Sequence, residues 1–237
     1  MMSSHQPPPL HVLKSAAEVA QQSEQWLADQ IRIAVEDRGA CSMAVSGGHS
    51  PWPMLESLAR RSDLPWGSVS IFQVDERIAP EGDEDRNLTQ LNKHVLDVRP
   101  SLRAKTYPMP VNDPDIDQAA DRYASRLMEC CGSPIQIDII HLGLGPDGHT
   151  ASLVPGDPVL KVRDRDVALT GGLYQGRRRM TLTYPAINRA RRIMWQVVGG
   201  DKKDALGRMM AGDDSIPGGL VSSSQAVIFA DQSAVTA

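Results

Sequence analysis

Hydrophobic and polar positions along the chain switch between two periods. Short, nearly unbroken apolar runs recur at 41–45, 69–74, 137–142, 180–183, 193–198 and 227–230. Runs of four to six apolar residues, bounded by glycine or charge, fit strands buried on both faces. Between them the spacing becomes helical. Val19, Leu27, Ile31 and Val35 form one stripe, Ser15 and Glu18 have capping-box spacing, and Gly39 is placed to end that helix. Residues 88–98 also look helical. Asp113 with Pro114 behind it predicts a further helix start, with Ile116, Ala120, Tyr123 and Leu127 on its inner face and Cys130 and Cys131 packing into the core at its end. Pro185 opens a short helix, another runs to Met210, and residues 11–13 fit an edge strand. Alternation of this kind predicts an α/β fold: a doubly wound, mostly parallel, Rossmann-like sheet with helices on both faces. No linker or repeat interrupts it, so residues 1–237 are expected to form a single domain, with the polar, proline-rich residues 1–9 as a flexible arm.

The chemistry collects where these strands end. In doubly wound sheets ligands bind outside the carboxyl ends of the strands. Here the run 41–45 leads into Ser46-Gly47-Gly48-His49-Ser50-Pro51. The run 69–74 ends in Asp75-Glu76-Arg77, three charges ahead of the loop IAPEGDEDRN, which read more pointedly as strand-end chemistry than as a solvated loop start. The run 137–142 leads into a glycine-rich turn carrying Asp147 and His149, and 193–198 into Gly199-Gly200-Asp201-Lys202. Arg179, at the start of another strand, adds a cation. Gly47 and Gly48 let backbone approach a ligand, and Ser50 with Pro51 opens a helix whose free N–H groups suit an anion, although the same pattern also describes a plain turn. So many cations suit a phosphorylated ligand better than an apolar one. Arginine grips phosphate with a fork of N–H groups, whereas lysine acts as a point charge.

Composition narrows this further. A net charge of -4 and 4% aromatics leave neither the basic excess nor the stacking surface of a nucleic-acid binder. Three cysteines without a CxxC pair suggest no zinc or redox motif and fit a reducing, cytoplasmic setting. No apolar run reaches signal or membrane-span length. There is no GxSxG elbow, no cysteine beside a loop histidine, and no HEXXH, which disfavours covalent and metal routes. General acid–base work by His149 remains, since a free histidine titrates near neutrality.

Four segments resemble 6-phosphogluconolactonases. SGGHSP resembles their SGGSTP, VDERIAPEGDEDRN their DERxVPxxxxxSN, LGLGPDGHTASLVPG their GxGxDGHTASLFPG, and RMTLTYPAINRARRIMWQVVGGDKKDAL their RITLTxPAINxAxxVxFLVxGxxKxxxL. The matches run in the family's order from about residue 43 to 206, and DGHTAS is the most specific. The resemblance implies a fold shared with glucosamine-6-phosphate deaminases and ribose-5-phosphate isomerases. It implies hydrolysis of 6-phosphoglucono-1,5-lactone to 6-phosphogluconate, the second step of the oxidative pentose phosphate pathway, with no redox cofactor and no required metal. The partner expected is that small lactone, not a nucleic acid or membrane, and the chain is expected to be a monomer or weak homodimer.

Carried onto this chain, His149 matches the catalytic base and Asp147 a residue that fixes the loop or orients it. Gly47, Gly48, Asp75 and Arg77 match substrate-site positions, and Arg179 and Lys202 match the family's cations. Departures are His49 and Ser50 for Ser-Thr, Arg86 for the serine before Asn87, and Val154 for phenylalanine. A lysine expected before RITLT is absent, with Arg177-Arg178-Arg179 in its place. His49 reads equally as a ligand contact or a solvent-facing loop residue. A deaminase reads DGHIAFNEP, and its proton-transferring glutamate falls on Val154. A non-catalytic sugar-phosphate sensor would carry a DNA-binding segment, for which the residues ahead of Ser15 are too few.

Overall fold

The computed structural model describes residues 6–99 and 104–236. Seven strands form one parallel sheet: β1 (Leu10–Leu13), β2 (Cys41–Val45), β3 (Val69–Gln73), β5 (Lys105–Tyr107), β6 (Ile139–Gly143), β9 (Arg192–Val197) and β10 (Ala226–Asp231). Their order is β1-β10-β9-β6-β2-β3-β5. Between the strands run α1 (Ala16–Arg38), α2 (Pro51–Arg60), α3 (Asn87–Leu91), α4 (Ile116–Cys131), α5 (Tyr184–Asn188) and α6 (Lys203–Met210). Alternate strand residues feed two hydrophobic layers. Met43, Val45, Ile71 and Met194 pack with α1 and α2 on one face. Ala44, Phe72, Ile140 and Trp195 pack with α4, α5 and α6 on the other. A strand whose both neighbours in sequence are buried on opposite faces must be apolar throughout, which is why these runs were legible.

The first helix forms as its sequence predicts. Ser15 Oγ accepts from the Glu18 amide at 3.3 Å, and the Glu18 carboxylate accepts in return from the Lys14 amide at 3.1 Å. Val19, Leu27 and Ile31 are fully buried, and Gly39 ends the helix in the left-handed conformation. Other boundaries differ. Ser50 makes no capping bond and is itself helical in backbone. Asp115, not Asp113, caps α4, accepting from the Gln118 amide at 3.0 Å, while Asp113 is occupied by the Asp115 amide. Cys130 is exposed and Cys131 only partly buried, because the end of α4 reaches the protein edge. The expected helix at 88–98 is α3 followed by a wider π turn, Asn92–Leu96. Of the expected N-terminal arm, residues 1–5 lie outside the described residues, and Pro9 is tied to the sheet by a 2.9 Å bond from the Ile228 amide.

The largest departure concerns Asp75-Glu76-Arg77. These residues do not end the preceding strand, which stops at Gln73, but form a strand of their own, β4 (Asp75–Arg77). It joins a three-stranded antiparallel ribbon with β7 (Val167–Leu169) and β8 (Arg179–Leu182), in the order β4-β8-β7. Charged residues tolerate that strand because Glu76 is completely buried and fully bonded. It accepts from Gln73 Nε2 and from the Arg77, Asn87 and Leu88 amides, each at 2.8 Å. The ribbon register places Arg77 directly opposite Arg179. Two like charges so placed repel unless neighbours supply acceptors, and the site described next does so.

Candidate functional site

The turn after β6 is cross-braced by its own backbone. The Gly145 amide donates to His149 O at 2.8 Å, the Gly148 amide to Gly145 O at 3.0 Å, and Thr150 Oγ1 to Gly143 O at 2.8 Å. At Gly145 a Cβ would sit 1.9 Å from His149 Nδ1, so only glycine leaves room for the imidazole. His149 Nδ1 lies 2.6 Å from Asp147 Oδ1, which also accepts from the His149 amide at 3.1 Å. Tyr174 Oη donates to Asp147 Oδ2 at 3.1 Å and stands 3.2 Å from His149 Nδ1. This network assigns the proton to Nδ1, directed at the carboxylate. The lone pair is then on Nε2, which makes no hydrogen bond within the described residues.

Electrostatics support that assignment. Burial pushes the Asp147 carboxyl up, but the His149 ring and amide and the Tyr174 hydroxyl outweigh it, and hold it below the ordinary carboxylate value. Burial and the Asp147 charge push Tyr174 up, so its hydroxyl keeps its proton.

The cations come from the ribbon and from β9. Arg77 Nη1 donates to Asp85 O at 2.6 Å and to Asn87 Oδ1 at 2.7 Å. Arg179 Nη2 reaches Tyr174 O at 3.3 Å and Gln175 Oε1 at 3.2 Å, and its guanidinium lies 5.0 Å from the Tyr174 ring centroid. Its Nη1 is 3.9 Å from Asp75 Oδ2, too far for a hydrogen bond. The Nε atoms of Arg77 and Arg179 are buried without a partner among the described residues. Burial draws Arg179 below the usual arginine value, with Asp75 opposing. Lys202 Nζ lies 2.8 Å from Asp201. Asp75 itself is buried and engaged, accepting from Ser152 Oγ at 2.5 Å and Asn87 Nδ2 at 3.2 Å. A Cβ on Gly47 would fall 1.8 Å from Asn87 Oδ1, so glycine permits the first strand-end turn to press against this network.

One cavity of about 890 Å³ collects these groups. Gly47, Gly48, Asp75, Arg77, His149, Arg179 and Lys202 line it, while Asp147 supports His149 from behind. The volume lies in the range of small-molecule sites. His49 is exposed on its wall. Arg86 turns away: it is buried, with Nε 3.5 Å from Glu76 and Nη1 bonded to Asn112. Sequence reasoning missed Tyr174, Asn87, Ser152, His141 and Gln196. Tyr174 sits in a glycine-rich loop with no periodic signal, although the Arg177–Asp83 pair at 2.8 Å holds that loop in place. His141 was hidden inside an apolar run. Among the described residues, no group of three or more His, Cys, Asp or Glu is placed to hold a metal ion.

Comparison with known proteins is consistent across sequence and fold. Residues 14–229 match the family described as glucosamine-6-phosphate isomerases/6-phosphogluconolactonase. A 6-phosphogluconolactonase of Synechocystis sp. is 39% identical over 186 residues, covering 77% of this chain and 76% of the relative. The crystal structure of a 6-phosphogluconolactonase from Shewanella baltica superposes with a TM-score of 0.83 at 25% identity, covering 94% of this chain and 97% of that one. A monomeric glucosamine-6-phosphate deaminase also superposes, with a TM-score of 0.79 at 18% identity over 95% of this chain and 98% of that one, which speaks to the fold alone. The chain therefore belongs to the glucosamine-6-phosphate isomerase/6-phosphogluconolactonase family.

Proposed function

We propose that this chain is a 6-phosphogluconolactonase that opens 6-phosphoglucono-1,5-lactone to 6-phosphogluconate in the oxidative pentose phosphate pathway, with His149 as the general base. The observation that carries the mechanism is the Asp147–His149 pair, whose 2.6 Å contact leaves Nε2 with the lone pair beside a cation-lined cavity. Nε2 takes a proton from water as the water oxygen bonds to C1 of the lactone. The C1–ring oxygen bond then breaks, and the imidazolium returns the proton to the departing oxygen. Asp147 holds the tautomer and stabilises the charged ring, and Tyr174 braces Asp147. Arg77, Arg179 and Lys202 are assigned to the phosphate, and the Gly47–Gly48 backbone at the start of α2 to an anionic oxygen of the substrate.

Deaminase chemistry needs a proton-transferring side chain where this chain has Val154, which is apolar and buried. The deciding experiment is lactone hydrolysis by the wild type and His149→Ala, with the uncatalysed rate subtracted. Glucosamine-6-phosphate and unphosphorylated gluconolactone serve as parallel substrates. The substitution is expected to lower kcat by about 10²–10⁴-fold. Wild-type rates in the variant would remove His149 from the mechanism, and release of ammonia from the amino sugar would favour the deaminase reading.

A further inference from the structure

Beneath the cavity lie two polar side chains that the mechanism above does not use. His141, on β6, is 1% exposed, and Gln196, on β9, is 4% exposed. Both line the cavity wall. In the β6–β9 register His141 stands opposite Met194 and Gly143 opposite Gln196, so the two side chains, offset by two positions, project to the same face. That is the face on which Met194 packs with α1 and α2. By distance and angle, neither nitrogen of His141 and neither polar atom of Gln196 has a hydrogen-bond partner among the described residues, although the two side chains lie close enough for Gln196 to favour the charged imidazole weakly; at best one contact between them leaves the remaining donors and acceptors unmet. Four such atoms on adjacent strands are costly to bury, and their neighbours on that face are apolar. They are therefore explained best by a ligand that completes them.

Their chemistry says which part of a ligand. Burial holds His141 well below its usual value, at about 4, against a weaker side-chain hydrogen bond with Gln196, so near neutral pH the ring is uncharged. An uncharged imidazole has one N–H donor and one lone pair, and an amide has two donors and an acceptor oxygen. A phosphate or carboxylate offers acceptors only and would leave the lone pairs of both groups unmet. A hydroxyl both donates and accepts. Building on the lactonase reading, we propose that His141 and Gln196 form a neutral subsite that binds ring hydroxyl groups of the sugar-phosphate lactone and selects for a fully hydroxylated substrate. The three cations supply affinity for the phosphate, and this pair supplies discrimination among phosphorylated lactones. Water has the same donor and acceptor character as a hydroxyl, so the test must separate the two.

The test compares wild type, His141→Leu, Gln196→Leu and the conservative His141→Asn, using the phosphorylated lactone and its 2-deoxy and 3-deoxy analogues. With the full lactone the leucine variants are expected to lose about tenfold or more in kcat/KM, and His141→Asn to recover part of the loss. With the analogue lacking the contacted hydroxyl, wild type and leucine variants are expected to fall within about twofold of each other. Equal losses on every lactone, or no loss on any, would overturn the subsite and leave a water-filled or structural pair. Should a leucine variant not fold, ¹⁵N shifts of the His141 ring in the wild type decide. They should move on adding 6-phosphogluconate and stay still with orthophosphate; no movement with either, or equal movement with both, overturns the proposal. A wild type without lactonase activity would instead sink the reading on which this subsite rests.

Discussion

The two ends of the parallel sheet carry similar residues and use them differently. At the amino ends of the strands a groove of about 610 Å³ is lined by Arg38, Arg189, Arg191, Arg192 and Asp138. There the charges, the exposed Arg192 apart, are met within the protein. Asp138 takes Arg38 Nε at 2.9 Å, the Ser42 amide and hydroxyl at 2.8 Å each, and lies 3.3 Å from Arg191 Nε. Arg189 is bonded to Ile135 O at 3.0 Å and to Asp166. At the carboxyl ends, by contrast, the Nε atoms of Arg77 and Arg179 have no partner among the described residues, and His141 and Gln196 have at most each other. Composition alone would rank the two ends alike. What distinguishes the site is spare donor and acceptor capacity held in place by a rigid frame, because a group already satisfied by the protein gains little from a ligand.

The sharpest way to break this comparison is to remove one charge from each end. Arg179→Met keeps an apolar stem but deletes a fork that is not saturated by the protein. It should raise KM for the phosphorylated lactone about 100-fold, an effect of roughly 2–3 kcal/mol, while leaving the slow hydrolysis of unphosphorylated gluconolactone unchanged. Equal losses on both substrates would mean that Arg179 holds the fold rather than the phosphate. At the other end, Asp138→Asn leaves Arg38 and Arg191 short of their shared carboxylate. Denaturant unfolding should show a loss of about 2 kcal/mol, with kcat/KM within twofold of wild type. A drop in kcat/KM there, without a stability change, would contradict the division of labour between the two ends.

A smaller effect is expected at Tyr174. Tyr174→Phe removes the hydroxyl that braces Asp147 and keeps the ring that packs under Arg179. Loss of a single hydrogen bond to a charged, half-exposed group should cost about 1 kcal/mol, or roughly fivefold in kcat, with little change in KM. A variant with unchanged kcat would show that Asp147 needs no help in orienting His149.

The sequence makes some of these features readable and hides others for identifiable reasons. Strands β2, β3, β6, β9 and β10 are buried on both faces, so their apolar runs announce them, and the strand-end rule then points to Gly47, His149 and Lys202. Of the ribbon, only β8 is visible to that logic, as the run 180–183. Strand β4 consists of three charged residues, stabilised by the bonds converging on Glu76, and β7 is only three residues long. Its consequence, Arg77 facing Arg179, is a tertiary fact with no local signature. The setting of Asp75 also needed the fold: expected as a substrate-site residue, it lines the cavity and is at the same time held by Ser152 and Asn87 in the wall that the cations share. His141 illustrates the opposite failure, a polar residue absorbed into an apolar period.

His141 also offers the finest test of the comparison, because unsatisfied groups at the carboxyl end should weaken the fold where satisfied ones at the amino end strengthen it. Its folded value of about 4 lies below the 6.5 of a free histidine, mainly through burial. Between those two pH values the unfolded chain holds more protons at this position than the folded chain. Unfolding therefore becomes easier as pH falls from about 6.5 to about 4, by up to roughly 1 kcal/mol per pH unit, and the contribution is whole again above 6.5. In His141→Leu that slope should flatten, and the variant should match or exceed wild-type stability at pH 5 despite its weaker catalysis. Denaturant midpoints at pH 7.5, 6 and 5 read this directly. Parallel curves for the two proteins would mean that His141 is already hydrogen-bonded in solution, and would place the spare capacity of this end in its arginines alone.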